Sequence, residues 1–205
     1  MFASKIKAIV LTTMLAMGAG GAQADVITFN DSSASGYASL AAYTANGFAF
    51  TLKSGSAYLA DSNAAGSTAS SLYSYNGTDY MILSGSVTMT NVARTPFSVS
   101  SIDLGNFSYA SSSTAMLTGT RADGTTVSES FTSAIANNRS ASDFTTRTLT
   151  NFTNLTSFNI QQTSGTYYAA VDNINVSAVP EPSTWAMLGL GLAFVAGSLR
   201  RKNSA

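Results

Sequence analysis

Between residues 26 and 176 apolar and polar side chains alternate in short runs, and nowhere do apolar residues recur at the three-to-four spacing of an amphipathic helix. Strict alternation is the pattern of a strand with one buried and one wetted face. The runs span 26–29, 48–53, 57–60, 80–83, 86–92, 97–104, 115–121, 125–131, 144–150, 155–161 and 167–176, with Gly, Asn, Asp and Ser between them. Short strands at this density predict an all-β fold, an antiparallel β-sandwich of jelly-roll type. The clearest hairpin turns through Ala122-Asp123-Gly124, because Asp-Gly supplies the positive φ angles of a tight turn. In its return strand Val127, Glu129 and Phe131 share one face and Ser128 and Ser130 the other, so Glu129 belongs to an edge or a function. The Ser/Thr-rich stretch 62–74 predicts a long loop.

The pattern breaks at both ends. Lys5 and Lys7 precede an apolar run, 8–17, and a small-residue stretch then leads into Ala22-Gln23-Ala24. This three-part arrangement predicts a secretory signal peptide over residues 1–24, recognised through Ala22 and Ala24 and cut before Asp25. At the other end Pro180 and Pro182 stop any regular element, and sixteen uncharged residues, 184–199, run to Arg200-Arg201-Lys202. Sixteen residues fall a little short of the roughly 20 that span a bilayer core, and the flanking basic side chains extend the reach by snorkelling. The three cations stop the helix at the cytoplasmic face of the inner membrane and leave everything before Pro180 outside. The organisation expected is therefore a signal peptide at 1–24, a sandwich ectodomain at 25–178 and a C-terminal signal at 179–205.

Pro180-Glu181-Pro182, one apolar segment beginning near Trp185, and the basic cluster Arg200-Arg201-Lys202 together resemble the PEP-CTERM protein-sorting signal of Gram-negative bacteria. The resemblance covers about residues 179–202, and its specificity lies in the order and spacing of the three parts alongside an N-terminal signal peptide. Such a tail also goes under the label of an ice-binding protein C-terminal domain, a name that carries no chemistry here. The resemblance implies an exosortase as partner, a membrane peptidase that recognises the Pro-Glu-Pro region, so that Glu181 is a recognition residue. It also implies passage through the inner membrane, transient anchoring by the C-terminal helix, and a mature form at the cell surface or in a matrix of exopolysaccharide and biofilm.

Composition removes most enzyme classes. The 205 residues contain no His and no Cys, which excludes imidazole bases, thiolate nucleophiles, zinc sites and disulfides. Lys53 is the only lysine of 25–178, and no S-x-x-K precedes it to form a Ser-Lys dyad. The whole chain balances ten cations against ten anions, but residues 25–178 hold five cations against nine anions, a net charge of −4. A mildly acidic domain without a basic patch does not bind nucleic acid. Glycoside hydrolysis needs two carboxylates across a sugar; Glu129 is the one glutamate of the ectodomain and no aspartate pairs with it by spacing. The expected ectodomain is thus non-catalytic, with a matrix glycan hydrolase as the weakest alternative. Three T-x-T motifs, at 88–90, 118–120 and 148–150, are thirty residues apart without the short repeat of an ice-binding solenoid.

Exposed tyrosines favour a lectin-like module, since their rings stack on sugar faces. Tyr73, Tyr75 and Tyr80 cluster around Asn76-Gly77, and Tyr167 and Tyr168 open the last strand; Tyr75 and Tyr168 are the candidate stacking residues. Phe48, Phe50, Phe97, Phe131 and Phe158 are expected in the core. The second half, from the strand at 97–104 through Asn151-Phe152-Thr153-Asn154-Leu155 to Val171-Asp172-Asn173-Ile174-Asn175-Val176, resembles the single jelly-roll ectodomain of PEP-CTERM proteins, similar in outline to carbohydrate-binding modules. That resemblance implies a structural Ca²⁺ shared by an aspartate near the first strand and one in the last, here Asp31 and Asp172.

Overall fold

Alternation in the sequence becomes eleven antiparallel strands among the described residues. The computed structural model describes residues 24–30, 37–60, 77–107, 112–133, 144–166, 168–178 and 189–192. The strands are β1 (Ala24–Ile27), β2 (Tyr37–Ser39), β3 (Ala42–Ala45), β4 (Phe48–Ala60), β5 (Tyr80–Asn91), β6 (Phe97–Asn106), β7 (Ser113–Arg121), β8 (Thr126–Ser133), β9 (Phe144–Thr148), β10 (Leu155–Ser164) and β11 (Ala169–Ala178). All of them belong to one unit, Ala24–Ala178.

The β4–β5 hairpin organises the sandwich. Its two strands pair along their whole length, from Phe48↔Asn91 to Ala60↔Tyr80. One half of β5 pairs with β11 through Met81, Ile82 and Leu83, while the other half pairs with β10 through Ser86 to Met89. The hairpin therefore runs through both layers. The first layer continues from β11 to β6 and β9, with β1 on the other side of β11. The second continues from β10 to β7 and the edge strand β8, with β3 on the far side of β4. Four separate strands were expected at 48–53, 57–60, 80–83 and 86–92, and the structure joins them in pairs across Gly55 and Gly85. Both glycines have positive φ, +73° and +135°. A strand changes sheet at such a corner without breaking its ladder.

Inward residues of the two layers meet in one core. Phe50, Met89, Phe158, Ile160 and Leu117 come from the second layer and Leu83, Ile102, Leu104, Val171 and Ile174 from the first, all nearly solvent-free. Each such side chain contributes roughly 1.5–3 kcal/mol by leaving water. Rings bridge the layers: Phe48 meets Phe97 edge-on at 5.1 Å. Of the phenylalanines expected inside, Phe48, Phe50, Phe97 and Phe158 are buried, and Phe131 packs against the core from the partly exposed edge strand β8. The turn through Asp123-Gly124 joins β7 to β8 as expected, with Asp123 Oδ1 accepting from Thr125 N–H at 2.9 Å and Thr125 Oγ1 at 2.7 Å.

Candidate ligand-binding face

Residues directly opposite each other in paired strands point to the same side of a sheet, and this rule assembles an aromatic face on the outside of the first layer. Tyr58 is opposite Ile82, Ile82 opposite Ala170, Ala170 opposite Gly105, and Gly105 opposite Phe144. These residues point away from the main core, yet Tyr80, Ile82, Ala170 and Phe107 are buried in a second apolar cluster of their own. Tyr58, Phe144 and Tyr168 form its partly exposed rim. The rings meet edge to face: Tyr58 with Tyr168 at 5.7 Å, Phe107 with Tyr168 at 5.9 Å, and Tyr80 with Phe144 at 5.2 Å. Burial, reinforced by neighbouring Tyr58, pushes the Tyr168 phenol above its ordinary value. That phenol stays neutral at neutral pH.

A polar row adjoins the rings. Asp172 in β11 is opposite Asp103 in β6, and Asp103 is opposite Thr146 in β9. Asp172 is fully buried; its Oδ2 accepts from Thr78 Oγ1 at 2.8 Å and its Oδ1 from the Asn173 N–H at 2.8 Å. Asn173 sits at a register shift in β11 with φ +46°. This β-bulge re-aims its side chain, whose Nδ2 donates to Asp103 Oδ2 at 2.8 Å. Thr146 Oγ1 donates to the other Asp103 oxygen. The result is a chain of hydrogen bonds from Thr78 to Thr146 that holds two carboxylates in fixed orientation.

Of the expected stacking residues, Tyr168 lies on this face, whereas Tyr75 falls outside the described residues, as do Tyr73 and Tyr167. Tyr80 faces the same way but is fully buried against Phe144, so its ring is closed to a sugar. Tyr58, Phe107, Phe144 and Asp103 complete the face and carry no motif of their own.

For the expected calcium, Asp31 lies outside the described residues. Its neighbour Asn30 accepts the Asp79 N–H at 2.9 Å, one residue from the Thr78 that holds Asp172. Among the described residues no three acidic side chains gather.

Glu129 is on the edge strand β8, where Oε1 accepts from Thr150 N–H at 3.4 Å and Thr150 Oγ1 at 3.3 Å. An inward-facing charge on an edge strand discourages further strand pairing, which accounts for its place on an apolar row. Beside it the Arg147 guanidinium lies over the Phe131 ring at 5.5 Å.

At the ends, Ala24 opens β1, and Ala22 falls outside the described residues. So do Pro180, Glu181, Pro182, Arg200, Arg201 and Lys202. Residues 189–192 are helical, and among the described residues no helix is long and apolar enough to cross a membrane.

Fold and face define an all-β, β-sandwich protein. Its tail is more specific: residues 178–202 match the PEP-CTERM protein-sorting motif, which implies export and processing by an exosortase. A comparison with curated proteins gives no match. Among solved structures the chain is similar to the tandem CBM22-1–CBM22-2 domains of Xyn10C from Paenibacillus barcinonensis, at 9% identity and TM-score 0.41 over 80% of this chain and 49% of that one. It thus spans about half the length of that tandem. The single CBM22-1 xylan-binding domain of the same protein gives 9% identity and TM-score 0.38 over 79% and 99% of the two chains. A family 11 carbohydrate-binding module from Clostridium thermocellum, in complex with a β-1,3-1,4-mixed-linked tetrasaccharide, gives 11% identity and TM-score 0.31 over 79% and 99%. Likeness at that level transfers no ligand and no residue.

Proposed function

We propose that this chain is a non-catalytic exported protein that an exosortase cuts after the β-sandwich and delivers to the surface or extracellular matrix of a Gram-negative bacterium, where it associates with exopolysaccharide. The observation that supports this reading is a boundary: the last strand ends at Ala178, and the sorting motif begins at residue 178. A cut beyond that point leaves all eleven described strands intact, so processing separates a complete domain from its membrane signal. In the precursor the signal peptide and the 184–199 helix engage the inner membrane, and the basic residues Arg200, Arg201 and Lys202 hold the tail on its cytoplasmic side. Deleting the exosortase should retain a heavier form in the membrane fraction. An unchanged mature mass and location in the deletion strain would overturn the proposal.

A second reading, a lectin-like module, has its own observation in the partly exposed Tyr58–Tyr168 rim beside hydrogen-bonded carboxylates. It predicts saturable glycan binding that Tyr168→Ala or Tyr75→Ala removes. A matrix glycan hydrolase would instead show turnover lost in Glu129→Gln.

A further inference from the structure

Among the described residues, the central rows on the outer face of the second layer differ from the first layer's aromatic face in carrying neither an aromatic ring nor a charge. Following the pairing across six strands, Ala42 is opposite Thr51, Thr51 opposite Thr88, Thr88 opposite Asn159, Asn159 opposite Thr118, and Thr118 opposite Ser128. The neighbouring row runs Ser86, Gln161, Met116, Ser130. Two of the three T-x-T motifs, 88–90 and 118–120, thus arrive on one face, separated by a single strand. Ordinary soluble domains carry about 25% charged residues; among the described residues neither of these two rows holds one, and Lys53 sits at the bulge where β4 slips register.

The side chains of this face are already ordered by one another. Asn159 Nδ2 lies 2.7 Å from Ser86 Oγ, 3.0 Å from Thr88 Oγ1 and 3.2 Å from the Val87 carbonyl oxygen, donating among them. Thr118 and Ser128 hydroxyls share a hydrogen bond at 3.0 Å, and so do those of Thr114 and Thr132. A hydroxyl held this way loses little rotamer freedom when it bonds a ligand. Rows lie about 4.8 Å apart across strands and repeat about every 6.7 Å along them, giving a lattice of donors and acceptors without a net field.

We propose that this face adsorbs an uncharged polysaccharide chain laid across the strands. Charge decides the class of partner: the face offers nothing to pair with a uronate or a phosphate, and residues 25–178 as a whole are net negative, which disfavours acidic polymers. Twist decides between a flexible and a rigid partner. Adjacent strands rotate by about 20–25°, so six strands depart far from the plane that a crystal surface such as ice demands, while a polymer chain follows the curve. This inference rests on the proposed extracellular, polysaccharide-associated role, and it concerns a different face from the Tyr58–Tyr168 rim.

The test uses the processed protein from the culture medium or cell surface, with swollen cellulose as the neutral probe and alginate as the acidic one, and depletion from solution as the readout. Wild type should bind swollen cellulose saturably and ignore alginate. Thr118→Lys and the more exposed Ser128→Lys should each weaken binding about ten-fold, because a charge loses its water against a neutral ligand, with melting temperature unchanged. No cellulose binding by wild type, binding that survives both lysines, or thermal hysteresis in ice water would each overturn the assignment. Processed mass and location are read separately, so failure of the sorting proposal is distinguishable from failure of this one.

Discussion

Gly55 and Gly85 face each other across the β4–β5 hairpin, and neither has room for a side chain. A Cβ at Gly55 would stand 1.9 Å from the Ser84 carbonyl oxygen, and one at Gly85 would stand 2.1 Å from that of Ser54. Backbone cannot yield as a side chain does, and positive φ adds strain, so Gly55→Ala and Gly85→Ala should each cost roughly 3 kcal/mol or more. Gly124→Ala is the control: its φ is +84° but its surroundings are open, so about 1 kcal/mol is expected. Urea melts of the three variants check the ranking, and a corner variant no worse than Gly124→Ala would refute the account of the corner.

The Asp123 carboxyl is held below its ordinary value, chiefly by the Thr125 hydroxyl, then by the Thr125 N–H and the charge of Arg121. A lowered folded-state value means that the carboxylate contributes stability above its unfolded pKa of about 3.9 and loses it as pH falls through the folded value. Wild type should therefore lose stability below about pH 4 through this group, and Asp123→Ala should lose less over the same interval. Melting temperatures of the pair from neutral to acid pH measure the difference; parallel curves would remove the turn from the acid response.

Tyr168 titrates in the opposite sense. Its phenol is raised by burial, so its neutral form contributes stability that is intact below the unfolded value near 10 and lost as pH rises through the folded value. Tyr168→Phe should blunt the alkaline loss while keeping the rings together. Tyr168→Ala should cost about 2 kcal/mol at neutral pH, from two edge-on contacts and lost burial. Phenolate absorbance against pH, in wild type and Tyr168→Phe, isolates this group.

Asp172 separates two explanations of one buried carboxylate. Calcium held jointly with Asp31 would raise the melting temperature, and EDTA or Asp172→Asn would remove the increment. A melting curve indifferent to EDTA leaves Asp172 as a structural acceptor for Thr78 and Asn173. Asp172→Ala is then expected to cost about 1–3 kcal/mol, because the Thr78 hydroxyl and the Asn173 N–H lose their acceptor.

Alternation makes the strands legible in the sequence itself, because Phe48, Phe50 and Leu52 or Met81 and Leu83 mark a buried face by themselves. Ser54-Gly55-Ser56 and Ser84-Gly85-Ser86 look like strand ends in the sequence, since glycine inside a strand signals interruption; only pairing with the opposite glycine shows a corner. The short strands β2 and β3 carry at most two strand-favouring residues each, too few to form an alternating run. The aromatic face was half legible. Tyr168 and Asp172 stood out by residue type, but Asp103 reaches Asn173 across 70 residues of sequence, and no local pattern carries that distance. The same holds for the hydroxyl lattice, where the T-x-T motifs were visible and the Asn159 that joins them was not.

The first strand guards the end of the last. β1 pairs with β11 from Ala24↔Ser177 to Ile27↔Ile174, so the predicted mature N-terminus at Asp25 lies against the residues just before the sorting motif. Three features hold it there: buried Ile27, buried Phe29 and the Asn46 amide donating to the Val26 carbonyl at 3.1 Å. Ile27→Ala should cost about 2–4 kcal/mol by the cavity it leaves, and it should free β1 before the rest unfolds. On that side of β11 residues 174–177 would then present an unpaired edge, open to a protease as extended chain. Limited proteolysis followed by mass spectrometry should show cuts in 174–178 appearing in Ile27→Ala and absent from wild type. Cuts appearing at the same rate in both proteins would mean that β11 is held by β6 alone and that β1 contributes nothing to protecting the processed end.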